Sequence, residues 1–162
     1  MVEVSTEQRN TAWRAATVFA RLALAAGFLS AVADRFGLWG AAGTGQVAWG
    51  DFDAFLTYLH SLAPYLPTAL VEVLGWAATV VEVVLGVALL LGFALRWSAL
   101  AAFATLLSFA LSMAVFSGPE APLNASVFTA AAAALLLALA AHGDRIPASI
   151  GSGVRAGVPP AV

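Results

Sequence analysis

The sequence predicts an all-α integral membrane protein: an antiparallel four-helix bundle with an interfacial amphipathic helix in its first outer loop. Two observations carry that prediction. The 162 residues are 62% hydrophobic and only 10% charged, against about 25% charged in an average soluble domain. Seven arginines, nine acidic residues and no lysine cannot supply the polar surface that one water-soluble core needs. The apolar residues also fall into four blocks of roughly 20, and at ~1.5 Å per residue each is long enough for a hydrocarbon core of about 30 Å.

The first span is expected at about 12–33, interrupted by Arg21. A secretory signal peptide could begin the same way, with Arg9 and Arg14 as its basic region and Ala31-Val32-Ala33 as a cleavage site. Acidic Glu3 and Glu7, and Arg21 at the edge of the apolar stretch, argue for a retained helix. The outer loop follows over 34–68. Within it Phe52, Phe55, Leu56, Leu59 and Leu62 keep helical spacing, with Asp53, Thr57, His60 and Ser61 on the other faces. Asp51 can cap that helix and Ala63-Pro64-Tyr65-Leu66-Pro67 ends it. Trp39, Trp49, Tyr58 and Tyr65 suit a headgroup layer, as an anchoring belt or as a lid over a lipid-soluble ligand.

The second span is expected at 69–95 and the third at 97–116; the fourth, at 122–141, follows the break Ser117-Gly118-Pro119-Glu120-Ala121-Pro122. Together they make one membrane domain over 1–148, with 149–162 as a flexible tail. Four spans leave both termini on one side. That side holds Arg9, Arg14, Arg96, Arg145 and Arg155, whereas the other has only Arg35 beside Asp34, Asp51 and Asp53. Short cytoplasmic loops retain arginine, so both termini are expected to be cytoplasmic.

Composition also removes whole classes of chemistry. There is no cysteine, which excludes disulfides, thiolate metal sites and iron–sulfur ligation by this chain. The absence of lysine excludes a side-chain Schiff base. A net charge of -2 without a basic cluster excludes nucleic acid as a partner. His60 belongs to the outer loop and His142 to the inner end of the last span, so the two cannot share a haem or a metal ion. His60 reads as an interfacial residue, or as a hydrogen-bonding partner for a ligand in the outer leaflet.

Ionisable groups within the spans are the sharpest pointers, because each costs about 2.5–3.5 kcal/mol at a helix centre. Glu82 is the deepest. Projection at ~100° per residue places Gly75, Ala78, Thr79 and Gly86 on its face, which points it into the bundle. It then needs a partner, a hydrogen bond or a proton. Arg21 is the partner expected by charge, although it lies near the inner boundary and can snorkel. Glu72 falls in the first turns of the second span, where the helix dipole favours a carboxylate. Thr105, Ser108 and Ser112 form a polar stripe on the third span, and Asn124 and Ser126 resemble a helix start.

The run Trp49-Gly50-Asp51-Phe52, the stretch Leu59 to Pro67 and the text LGWAATVVEVVLGVALLLGFALRW from Leu74 to Trp97 resemble the DoxX family of small four-span membrane proteins. LLSFALSMAV and APLNASVF are similar to the same family, and the likeness extends over about Arg21 to Ala141. Arg21 occupies the place of the family's first-span arginine and Glu82 that of its second-span glutamate. Asp34-Arg35 replaces the basic residue that often follows the first span.

The family includes the small subunit of a thiosulfate:quinone oxidoreductase. The resemblance therefore implies a redox-associated membrane subunit without a redox group of its own, in a bacterial-type cytoplasmic membrane, binding a quinone or other lipophilic ligand and a partner oxidoreductase. Candidate ligand or proton-relay residues are Arg21, Glu82, Glu72, His60, Trp49, Tyr58, Ser108, Ser112 and Asn124. The alternative is a non-catalytic scaffold or small-molecule binding module, with a transporter third.

Overall fold

The computed structural model describes residues 6–143, which are arranged as helices joined by turns and one long loop. The helices are α1 (Thr6–Arg35), α2 (Phe52–Ser61), α3 (Thr68–Leu91), α4 (Leu95–Phe116), α5 (Glu120–Asn124) and α6 (Val127–Gly143). The expected tail at 149–162 lies outside the described residues. Three described helices, α1, α3 and α4, are long and apolar enough to cross a membrane, and α6 is a shorter apolar helix.

The long helices form an antiparallel bundle. α1 packs chiefly on α3 and α4 on α6, while α1–α6 and α3–α4 contacts close the ring. Leu24, Ala25 and Phe28 of α1 meet Leu85 and Leu89 of α3, Ala99 and Ala102 of α4, and Ala134, Leu137 and Ala138 of α6. The α4–α6 pair is alanine-rich at its contact, which brings the two backbones close and gives dispersion contact where lipid supplies no hydrophobic drive. Val73, Val80, Val84, Leu91 and Leu136 point outward. Such a surface is stable where the solvent is hydrocarbon rather than water.

Turn chemistry sets the boundaries. The second span stops earlier than its apolar run suggests, because Gly92 takes a left-handed conformation (φ 71°) and closes α3. The Gly92 and Phe93 N–H groups donate to Leu89 and Ala88 carbonyls, satisfying otherwise free acceptors at the helix end. Arg96 accordingly falls within the first turn of α4. The fourth apolar block is likewise divided: α5 ends at Asn124 and α6 begins only after Ser126 (φ 56°), whose carbonyl accepts from Ala130 N–H.

At the other end of the bundle α1 runs two residues beyond the expected span and includes Asp34 and Arg35, which the sequence reading gives to the loop. Gly37 (φ 71°) ends it; Gly37 and Leu38 N–H donate to Asp34 and Ala33 carbonyls.

The register of α1 against α3 is offset. A Cβ on Gly86 would lie 2.8 Å from Leu29 Cδ2, and Arg35 reaches Thr79. From Thr79, α3 continues to Thr68, about 16 Å along its axis, past the end of α1. α2 occupies the space so left. Asp51 caps it by accepting from Ala54 N–H at 2.7 Å, as its sequence position predicts. Phe55 is its buried residue and Leu62, just past its end, is buried too, while Asp53, Thr57 and Ser61 face outward.

Candidate functional site

Beneath α2 the α1 and α3 helices bring together the buried charged residues among those described. Glu82 and Arg35 are each 2% exposed, and Arg35 Nη2 donates to Glu82 Oε1 at 2.7 Å. Arg35 Nη1 donates to Thr79 Oγ1 at 2.9 Å, and that hydroxyl donates in turn to the Gly75 carbonyl at 2.8 Å. Helical periodicity explains the α3 side of the cluster: Gly75, Thr79, Glu82 and Gly86 share one buried stripe. The two glycines give access. A Cβ at Gly75 would collide with Leu56 of α2, and one at Gly86 would press on Leu29 of α1.

The loop supplies the roof. Asp34 Oδ2 accepts the Trp49 backbone N–H at 2.9 Å, which ties the loop to the last turn of α1. Gly50 follows with φ 77°, and any side chain there would strike the Ala41–Ala42 backbone. The chain then enters α2, which lowers Phe55 onto the guanidinium: its ring centroid lies 3.7 Å from Arg35 Cζ, and that of Trp49 lies at 5.2 Å. A planar cation set against aromatic rings is favourably held by their quadrupoles. Trp49 also meets Phe55 edge-on at 5.2 Å and Tyr58 at 6.1 Å. Burial pushes the Tyr58 phenol above its ordinary value of 10.0.

Three buried polar atoms of this cluster have no hydrogen-bond partner among the described residues: Arg35 Nε, Glu82 Oε2 and Asp34 Oδ1. One nitrogen and two oxygens of the site therefore have no partner within it. Its charged groups are two carboxyls and one guanidinium.

Arg21 is not the partner of Glu82. It sits at the opposite end of α3, where a Cβ on Gly92 would come within 2.5 Å of Arg21 Nη1. There it faces the negative end of the α3 dipole. The distance follows from the offset register, which sets Glu82 level with the end of α1 rather than with its middle. Sequence reasoning assigned Arg35 to topology and, with Asp34, to the place of the family's basic residue after the first span, and did not count it among the site residues. One signal pointed to it: Leu24, Phe28 and Arg35 continue a single helical face past the apolar block.

Of the other candidates, Trp49 and Tyr58 belong to the roof. Glu72 is exposed near the start of α3, and Asn124 is exposed at the end of α5. Exposed Ser108 donates to the Ala104 carbonyl at 2.8 Å, and half-buried Ser112 lies on the same helix. The His60 side chain makes no hydrogen bond or ion pair within the described residues. His142 accepts from Arg96 Nη1 at 2.9 Å, joining the first turn of α4 to the last of α6.

No curated protein and no solved structure matches the chain significantly. The family model for DoxX matches residues 16–115, a stretch that includes Arg35, Trp49, Phe55, Thr79 and Glu82. The chain belongs to the DoxX family.

Proposed function

We propose that this protein is a redox-associated membrane subunit that holds a quinone or another lipophilic ligand at the Arg35–Glu82 cluster and works with a partner oxidoreductase. The observation that carries the reading is a buried guanidinium lying against Phe55 and Trp49 while bonded to Glu82 and Thr79. The residues suit such a ligand. Arg35 Nε is a buried donor with no acceptor, which a carbonyl oxygen can occupy, and the aromatic rings offer flat apolar contact.

A bound quinone would supply the two-electron chemistry that a chain without cysteine lacks. The protein's own part is to orient the ligand, exclude water and offer hydrogen bonds. In this reading α5 and α6 complete a fourth crossing, residues 1–148 form one membrane domain, and both termini are cytoplasmic.

A second reading has its own support. Because Arg35 and Glu82 are paired with both side chains buried, the cluster can serve as a lock between α1 and α3 in a non-catalytic scaffold. Gentle purification followed by mass spectrometry of the extract separates the two. Recovery of a quinone or an oxidoreductase, with a higher melting temperature on quinone addition, is the expected result. Ligand-free protein whose melting temperature ignores quinone would leave the scaffold.

A further inference from the structure

We propose that the cluster recognises its lipophilic ligand through a hydroxyl group, so that a hydroquinone-type molecule binds in preference to the matching quinone. This rests on the ligand-binding reading above and specifies the chemistry of that site.

The hydrogen-bond inventory carries the inference. Arg35 has two of its guanidinium nitrogens engaged, leaving Nε as the nitrogen with no partner. Glu82 uses Oε1 on Arg35 and Asp34 uses Oδ2 on Trp49 N–H, which leaves Oε2 and Oδ1 as free acceptors. Asp34 is 6% exposed and the other two residues 2%, so bulk water does not reach these groups.

A quinone oxygen only accepts. It can occupy Arg35 Nε and leaves both carboxylate oxygens bare. A phenolic hydroxyl accepts and donates, so it can take the Arg35 proton donor and give its own hydrogen to a carboxylate. Hydrogen bonds to an ionised acceptor are also the stronger class. Thr79 does not alter this preference, because its hydroxyl is committed to the Gly75 carbonyl while it accepts from Arg35.

The test uses the full chain in lipid nanodiscs, titrated anaerobically with decylubiquinol and decylubiquinone, a pair that shares one skeleton and differs in the two hydroxyl hydrogens. Calorimetric binding is the readout. The expected result is at least tenfold tighter binding of the reduced form, about 1.4 kcal/mol. In Glu82→Gln, whose amide replaces a free acceptor with a donor, the preference falls to threefold or less; in Glu72→Gln it stays as in the parent. A melting curve on each variant shows that it is folded, and Asp34→Asn provides a second variant should Glu82→Gln fail to fold. Equal affinity for the two forms, or tighter binding of the quinone, overturns the hydroxyl inference and leaves the ligand-binding reading standing. Binding of neither form overturns both.

Discussion

Taking away Glu82 while Arg35 remains strands a guanidinium in a site shielded from bulk solvent. Breaking one member of a buried pair typically costs about 3–5 kcal/mol, whereas replacing both by apolar residues is often neutral. Glu82→Leu and Arg35→Leu should each lower the melting temperature sharply, and the double variant Arg35→Leu with Glu82→Leu should recover most of the loss. Arg35→Lys should not rescue, because an ammonium lacks the planar face that lies against Phe55 and Trp49. Arg21→Gln is the contrast: it removes a charge from the end of α3 and should cost about 1 kcal/mol or less. Tyr58 adds a dependence on pH. Its folded-state value is raised, so the stability it contributes is complete below about pH 10 and is lost as pH climbs through the folded value. Thermal melts across that window should show a steeper decline for the parent than for Tyr58→Phe. At this scale the sequence made Glu82 legible because a carboxylate amid small residues is costly and conspicuous. Arg35 was hidden because an arginine just after an apolar block looks like an ordinary boundary residue.

Among the elements, α2 depends on the small residues beneath it. Gly75→Val places branched carbons where Leu56 now lies, and overpacking of this kind costs about 1–3 kcal/mol. The expected consequence is displacement of α2, read as faster amide exchange over Phe52–Ser61 with little change in α4 and α6. Gly86→Val should act instead between α1 and α3, through Leu29. The existence and face of α2 were readable, since Asp51, the apolar spacing and the following prolines agree. Where it docks was not, because nothing local encodes the offset between α1 and α3; that arises from which residues of two distant segments pack together. The α3–α4 turn shows a nearer miss. The apolar run continues through Phe93-Ala94-Leu95, and only the left-handed geometry of Gly92 sets the break.

For the molecule as a whole, the α1–α3 connection and the α4–α5 connection lie at one end, and the α1 N-terminus and the α6 C-terminus at the other. An outward-facing loop is tested cleanly because the chain has no cysteine of its own. In intact cells Ala42→Cys should react with an impermeant maleimide, and Asn10→Cys only after permeabilisation; the reverse pattern would invert the topology. The all-helical membrane architecture was legible from composition and block length, properties that sum over many residues and tolerate local errors. The unequal lengths of the helices were not. At ~1.5 Å per residue the apolar stretch Val127–His142 of α6 extends about 24 Å, whereas α3, with 24 residues, extends about 36 Å. In the four-span reading proposed above, α6 makes one side of the bundle thinner than the hydrocarbon slab around it, and the bilayer must dimple there or the bundle must tilt. Acyl-chain length thereby becomes a variable of this protein's stability: reconstituted in lipids of increasing chain length, its melting temperature should peak in the thinner bilayers and fall in the thicker ones.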